Sequence, residues 1–273
     1  MPRHHAPSIL LFALATLASS SASAGAWSQP AGQCYAKVWS SVLIGANAFG
    51  VDAPGFETDP FSVIALNHYA ECGVAKDWTL LTSGAPVGFA RHGEDDTLFS
   101  GRLALGVRRG FLEGPLRAAI ELEYGHQGLV GDIELAPNQR YSFRPVVAAH
   151  TGRASASVGY GAASWWATGD VGLRVFSGEL TPAVVGNAQL GWKPLESLVL
   201  DIHFPYNITL GSIDENNVSG AGDTNYVGLG LGASWWVTQG LGLNLGLDGV
   251  VFAEANAGAP SIQLGVEWRP RLW

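Results

Sequence analysis

From about residue 33 onward, apolar side chains occupy one parity of the chain and small or polar ones the other. A strand between two unlike media reads this way, because successive side chains point to opposite faces of a sheet. The longest case places Leu198, Leu200, Ile202, Phe204, Tyr206, Ile208 and Leu210 on one face, against Val199, Asp201, His203, Pro205, Asn207 and Thr209. Leu241, Leu243, Leu245 and Leu247 alternate with Gly242, Asn244, Gly246 and Asp248, and Val227, Leu229, Leu231, Ala233 and Trp235 with Tyr226, Gly228, Gly230, Gly232 and Ser234. Val171, Leu173 and Val175 oppose Asp170, Gly172 and Arg174, and Ile262, Leu264, Val266 and Trp268 oppose Gln263, Gly265, Glu267 and Arg269. Upstream, Leu103, Leu105 and Val107 face away from Arg102, Ala104, Gly106 and Arg108, as Ala118, Ile120, Leu122 and Tyr124 do from Arg117, Ala119, Glu121 and Glu123. Residues 60–74 and 77–91 are strand-like, but their faces do not separate: His68 shares its parity with Ile64 and Leu66.

The pattern predicts about twelve strands, at 33–44, 60–74, 77–91, 98–111, 115–127, 148–161, 164–176, 181–193, 197–210, 223–237, 241–253 and 260–270. Short turns at 73–77, 193–197 and 237–240 alternate with longer polar connections at 45–59, 128–140 and 211–222. That asymmetry is expected of a transmembrane barrel, with tight periplasmic turns and roomier external loops. Each strand exceeds the roughly 9–11 residues that a tilted membrane-crossing strand needs. Ten or fourteen strands would also keep both chain ends on one side. The rival is a secreted β-sandwich, which also alternates. In a sandwich the inner face is dry, and the polar positions here include Arg, Asp and Glu that would be costly there. The expected fold class is therefore all-β, an antiparallel transmembrane barrel whose polar face lines the interior.

The first residues agree with export. Arg3, His4 and His5 precede an apolar run from Ile9 to Leu17, and Ala22-Ser23-Ala24 is a small-x-small cleavage pattern. The expected organisation is a signal peptide at 1–24 and one barrel domain at 25–273, bound for the outer membrane of a Gram-negative bacterium. No later stretch approaches the length of apolar residues that a helical span requires. Only 38 of 273 residues are charged (15 Lys+Arg and 23 Asp+Glu), and the formal net charge is −8. No basic run is present to neutralise phosphates, so nucleic acid is not an expected partner. Outer-membrane lipid, a small solute and, during biogenesis, the barrel-assembly machinery are. Trp165, Trp166, Trp192, Trp235, Trp236, Trp268 and Trp273 lie near strand ends beside short turns, where amphipathic rings suit a membrane–water boundary.

The polar parity gathers Arg102, Arg108, Arg117, Glu121, Glu123, Asp170, Arg174, Asp201, His203, Asp248, Glu267 and Arg269. They are expected to line the lumen, either as a polar path for solute or as ion pairs filling and stiffening the wall. Asp201 and His203 stand about 7 Å apart along one strand face. A carboxylate orienting an imidazole suggests a base, but no nucleophile motif such as G-x-S-x-G accompanies it, so an enzyme is not expected. No cofactor or metal is expected either, because neither cysteine has zinc-ligand spacing to a histidine. Cys34 opens the first strand and Cys72 closes the second, so antiparallel pairing brings both to one rim, where a disulfide is possible.

Three segments carry a family resemblance: Tyr69-Ala-Glu-Cys-Gly-Val-Ala-Lys-Asp-Trp-Thr-Leu80, Asn187-Ala-Gln-Leu-Gly-Trp-Lys-Pro-Leu-Glu-Ser-Leu-Val-Leu200 and Gly232-Ala-Ser-Trp-Trp-Val-Thr-Gln-Gly-Leu-Gly-Leu243. With the opening Gly25-Ala-Trp-Ser-Gln-Pro-Ala-Gly32, they resemble outer-membrane transporters that include proteins associated with the meta pathway of phenol degradation. The resemblance implies a location and an architecture, and no motif in it is diagnostic of a substrate; the expected function is a passive channel or transporter for small solutes, apolar ones among them. The alternative is a structural or surface-interaction barrel with a filled lumen. The chain departs from the usual barrel ending, since Trp273 falls out of phase with Ile262, Leu264, Val266 and Trp268, and Pro270 interrupts the strand.

Overall fold

The computed structural model describes residues 26–51, 55–112, 114–128, 142–213 and 217–270. The signal segment, Trp273 and nearly all of the 128–140 connection lie outside the described residues. The strands in chain order are β1 (Cys34–Phe49), β2 (Phe56–Ala75), β3 (Trp78–His92), β4 (Asp95–Phe99), β5 (Leu103–Phe111), β6 (Leu116–Gln127), β7 (Ala149–Gly161), β8 (Trp165–Phe176), β9 (Ala183–Leu195), β10 (Leu198–Thr209), β11 (Asn225–Trp236), β12 (Leu241–Glu254), β13 (Asn256–Ala257) and β14 (Ser261–Trp268). Twelve of them form an antiparallel ring in chain order, and β1 closes it by pairing with both β2 and β14. The short β4 and β13 are additions beside β3 and β1. Closure pairs the wall edge to edge, as a sheet in hydrocarbon requires.

The two parities separate as the alternation predicts. Leu105 is 69% exposed and Leu264 66% on the outside, whereas Arg108 and Glu267 are each 4% exposed on the inside. At the short-turn end, Trp78, Trp165, Trp192, Trp235 and Trp268 project outward, the girdle expected where hydrocarbon meets water. Trp166 is instead buried inside, and Trp236 lies 3.7 Å beneath the Arg269 guanidinium. The Tyr206 hydroxyl donates to the Asp170 carbonyl at 3.1 Å and lies where a Cβ on Gly186 would stand, so a glycine is needed under the ring.

Two sequence expectations need correction, and the structure places one residue that the parity left open. The polar stretch 45–59 is mostly strand, because β1 runs to Phe49 and β2 begins at Phe56. The predicted strand 98–111 is broken into β4 and β5. Ala85-Pro86 interrupts the ladder along the facing β3: Pro86 has no N–H to donate, and the β2–β3 register slips between Leu66 and His68. There Ala85 donates to the Arg102 carbonyl at 3.0 Å, and Gly101 to that of Ala85 at 2.9 Å. His68, unplaced by its parity, faces outward beside this bulge with Nε2 at 3.2 Å from the Thr82 hydroxyl.

Candidate functional site

The interior is built in three levels. At the short-turn end, residues 26–33 precede β1 and cross the opening from β1 to β7, five strands away around the ring of twelve. A Cβ on Gly159 would meet the Trp27 ring at 2.8 Å, and one on Gly73 would meet the Pro30 carbonyl oxygen at 2.2 Å. Both glycines therefore make room for this strap. Polar contacts hold it. The Gln29 amide N–H donates to the Thr79 hydroxyl at 2.9 Å, its side chain donates to Glu71 at 2.5 Å, and the Trp27 carbonyl accepts from Arg108 at 3.1 Å. Beside the strap, Cys34 and Cys72 are register partners joined by a disulfide, with their Cα atoms 4.2 Å apart.

Above the strap lies a band of charge. Arg108 pairs with Glu71 and with Glu121, each at 2.8 Å, and donates to the Tyr69 hydroxyl at 3.2 Å. Arg153 reaches Asp170 at 2.6 Å and Glu121 at 4.0 Å. Arg102 pairs with Glu123, which also accepts from Ser83, and donates to Thr151 at 3.1 Å. This network runs along one wall from β2 through β3, β5, β6 and β7 to β8. On the far wall the two nitrogens of His203 face Asp201 at 2.9 Å and Asp248 at 2.8 Å. Gln189 and Gln263 donate to the same two carboxylates. Glu267 accepts from Ser234 at 2.9 Å. With both ring nitrogens held by carboxylates, His203 presents no free nitrogen to a nucleophile, and the catalytic reading of Asp201–His203 finds no geometric support.

The other residues singled out by sequence sit apart from these networks. Arg117 donates to the Leu112 carbonyl at 3.0 Å at the short-turn rim. Arg269 stacks on Trp236 at the same end. Arg174 faces inward and has no hydrogen bond or ion pair to any described residue. Glu71, Arg153 and Tyr69 are central to the network but were not among the candidates for lining the lumen. Among the described residues, no group of three or more metal-ligating side chains is assembled.

At the long-loop end the interior becomes apolar. Phe61, Ala90, Phe99, Phe143, Val146, Ala257 and Ala259 form a buried cluster, against which Leu43 and Val63 pack. Phe143 comes from the connection between β6 and β7, folded back into the mouth, and its ring stacks on Phe61 at 5.1 Å and His92 at 5.3 Å. Ser142 and Asn217 tie that connection to the one between β10 and β11. The interior is thus polar in its middle and closed in by apolar side chains at one end, and not watery throughout.

A closed antiparallel ring of twelve strands, apolar outside and charged within, is the architecture of an outer-membrane β-barrel. The chain matches no family model and no curated relative. Among solved structures, it is similar to the COG4313 outer membrane channel from Pseudomonas putida F1, with a TM-score of 0.65 and 12% identity over 93% of this chain and 100% of that one. It is also similar to the KdgM porin, with a TM-score of 0.50 and 6% identity over 85% of this chain and 98% of that one. At such identities the likeness is one of fold.

Proposed function

We propose that this chain, after removal of residues 1–24, is an outer-membrane channel that passes small solutes by diffusion. The observation that carries the reading is the segregation of the wall: an apolar exterior girdled by tryptophan, around an interior band of Arg, Asp and Glu. Hydrocarbon outside explains the first and a wet path explains the second. The fold shared with an outer membrane channel over nearly the whole chain supports it. In this orientation the short turns and the strap face the periplasm. The resemblance to transporters of the meta pathway of phenol degradation, together with the apolar cluster at the outer mouth, favours solutes with an apolar body.

A second reading, a barrel sealed for a structural or surface role, is favoured by one observation: strap and apolar cluster obstruct the two ends of the same lumen. Purified protein in planar bilayers separates the two. A channel gives discrete conductance steps that enlarge when residues 26–32 are deleted. A sealed barrel gives none from the full chain. Retention in the outer-membrane fraction with heat-modifiable migration tests the location, and recovery of a freely dissolved monomer without detergent would remove the proposal altogether.

A further inference from the structure

Arg153 and Arg174 are register partners on β7 and β8, so two arginines spring from directly opposite positions on the inner face. Like charges so placed destabilise a sheet unless something between them restores the balance. A third, Arg102, lies within electrostatic range of both. The carboxylates of this wall do not restore it for all three. Glu71 and Glu121 hold Arg108, Glu123 holds Arg102, and Asp170 holds Arg153. None is left for Arg174, whose Nε is shielded from water and has no partner among the described residues.

The surroundings of Arg174 have the character of a site. Its register partner on the other side is Ala183, which brings neither charge nor a hydrogen-bonding side chain to that flank. Tyr226, on the inner face of β11, comes within electrostatic reach and brings a hydroxyl. Phe176, two residues along the inner face of β8, and the buried Val185 on β9 offer apolar surface nearby. An arginine fork with no acid partner among the described residues, next to a second arginine and to apolar side chains, matches a planar carboxylate carried on an apolar body.

We infer that Arg174, with Arg153 beside it and Tyr226 within reach, forms a binding subsite in the lumen for a small organic carboxylate. The inference rests on the channel reading for its biological meaning, since it names a class of solute that the path would retain in transit. Its chemistry is tested separately. The full-length mature protein in detergent is brought to equilibrium dialysis with radiolabelled benzoate, and with benzamide as the neutral analogue, for long enough that slow entry past the strap does not matter.

The expected result is saturable benzoate binding near one equivalent, no comparable benzamide binding, and affinity weaker by about tenfold or more in Arg174→Gln. Arg174→Lys, which keeps the charge but loses the fork, should fall between the two and serves as the decisive variant if Arg174→Gln does not fold. Arg117→Gln, at the rim, should bind as the parent does. Equal uptake of benzamide, absence of saturable benzoate binding, or parental affinity in a folded Arg174 variant overturns the inference. Bilayer conductance with no benzoate binding leaves the channel and removes the site. Benzoate binding with no conductance does the reverse.

Discussion

Replacing Arg108 by methionine tests the interior network at its most connected point. The guanidinium is 4% exposed and serves Glu71, Glu121, Tyr69 and the Trp27 carbonyl at once. Methionine nearly fills the volume but leaves the fully buried Glu71 carboxylate with only Gln29 and Tyr69 to donate to it. Removing one partner of a buried pair costs about 3–5 kcal/mol, because the remaining charge stays desolvated. Glu121 is partly open to the lumen and keeps only a 4.0 Å approach to Arg153, so the cost should come mainly from Glu71. The assay is urea unfolding of the protein refolded into lipid vesicles, followed by tryptophan emission and by heat-modifiable migration. Arg108→Met should lose about 3–5 kcal/mol, and adding Glu71→Leu should return at least half, since an apolar pair can replace a buried ionic one. A single variant within about 0.5 kcal/mol of the parent, or a double variant worse than the single, would refute the claim that Glu71 depends on Arg108.

Three further outcomes follow from the same geometry. Leu245→Arg, on the outer face midway along β12, should cost about 2–4 kcal/mol on refolding into vesicles and lower the yield of compact barrel; an unchanged yield would argue against hydrocarbon at that surface. Gly191→Ala would place a Cβ 1.9 Å from the buried Trp166 ring, and should cost about 1–3 kcal/mol with a shift in tryptophan emission. Cys34→Ser with Cys72→Ser should lose about 2–4 kcal/mol, and alkylation without reduction should leave the parent unlabelled; two labels on the native protein would reject the bridge.

The strands most legible in the sequence are those whose two faces meet the most different surroundings. Along β10 and β12, leucines and isoleucines alternate with Asp, Asn, His and Gly, because hydrocarbon and a charged lumen lie either side of them. Contrast fails where that difference fails. The early part of β2 is ambiguous in sequence because its inner residue Phe61 belongs to the apolar cluster and Val63 packs against it, so both faces are greasy there. In the middle of β7 the outer residues Gly152, Ala154 and Ala156 are too small to mark a face, so the parity of Arg153 between them is not legible. The strap has no period at all. Its place is set by the carbonyls of Trp27 and Pro30 and by the glycines it lies against, and local hydrophobicity records none of these contacts.

The crossing of residues 26–33 beneath the wall also orders the assembly of the molecule in time. Trp27 rests against Gly159, on a strand synthesised long after it, within an enclosure sealed only when β1 meets β14. The earliest part of the described chain therefore waits for the middle to exist before it can settle. Its seat is available only while the seam stands open or through the short-turn mouth afterwards, so maturation ends where translation began.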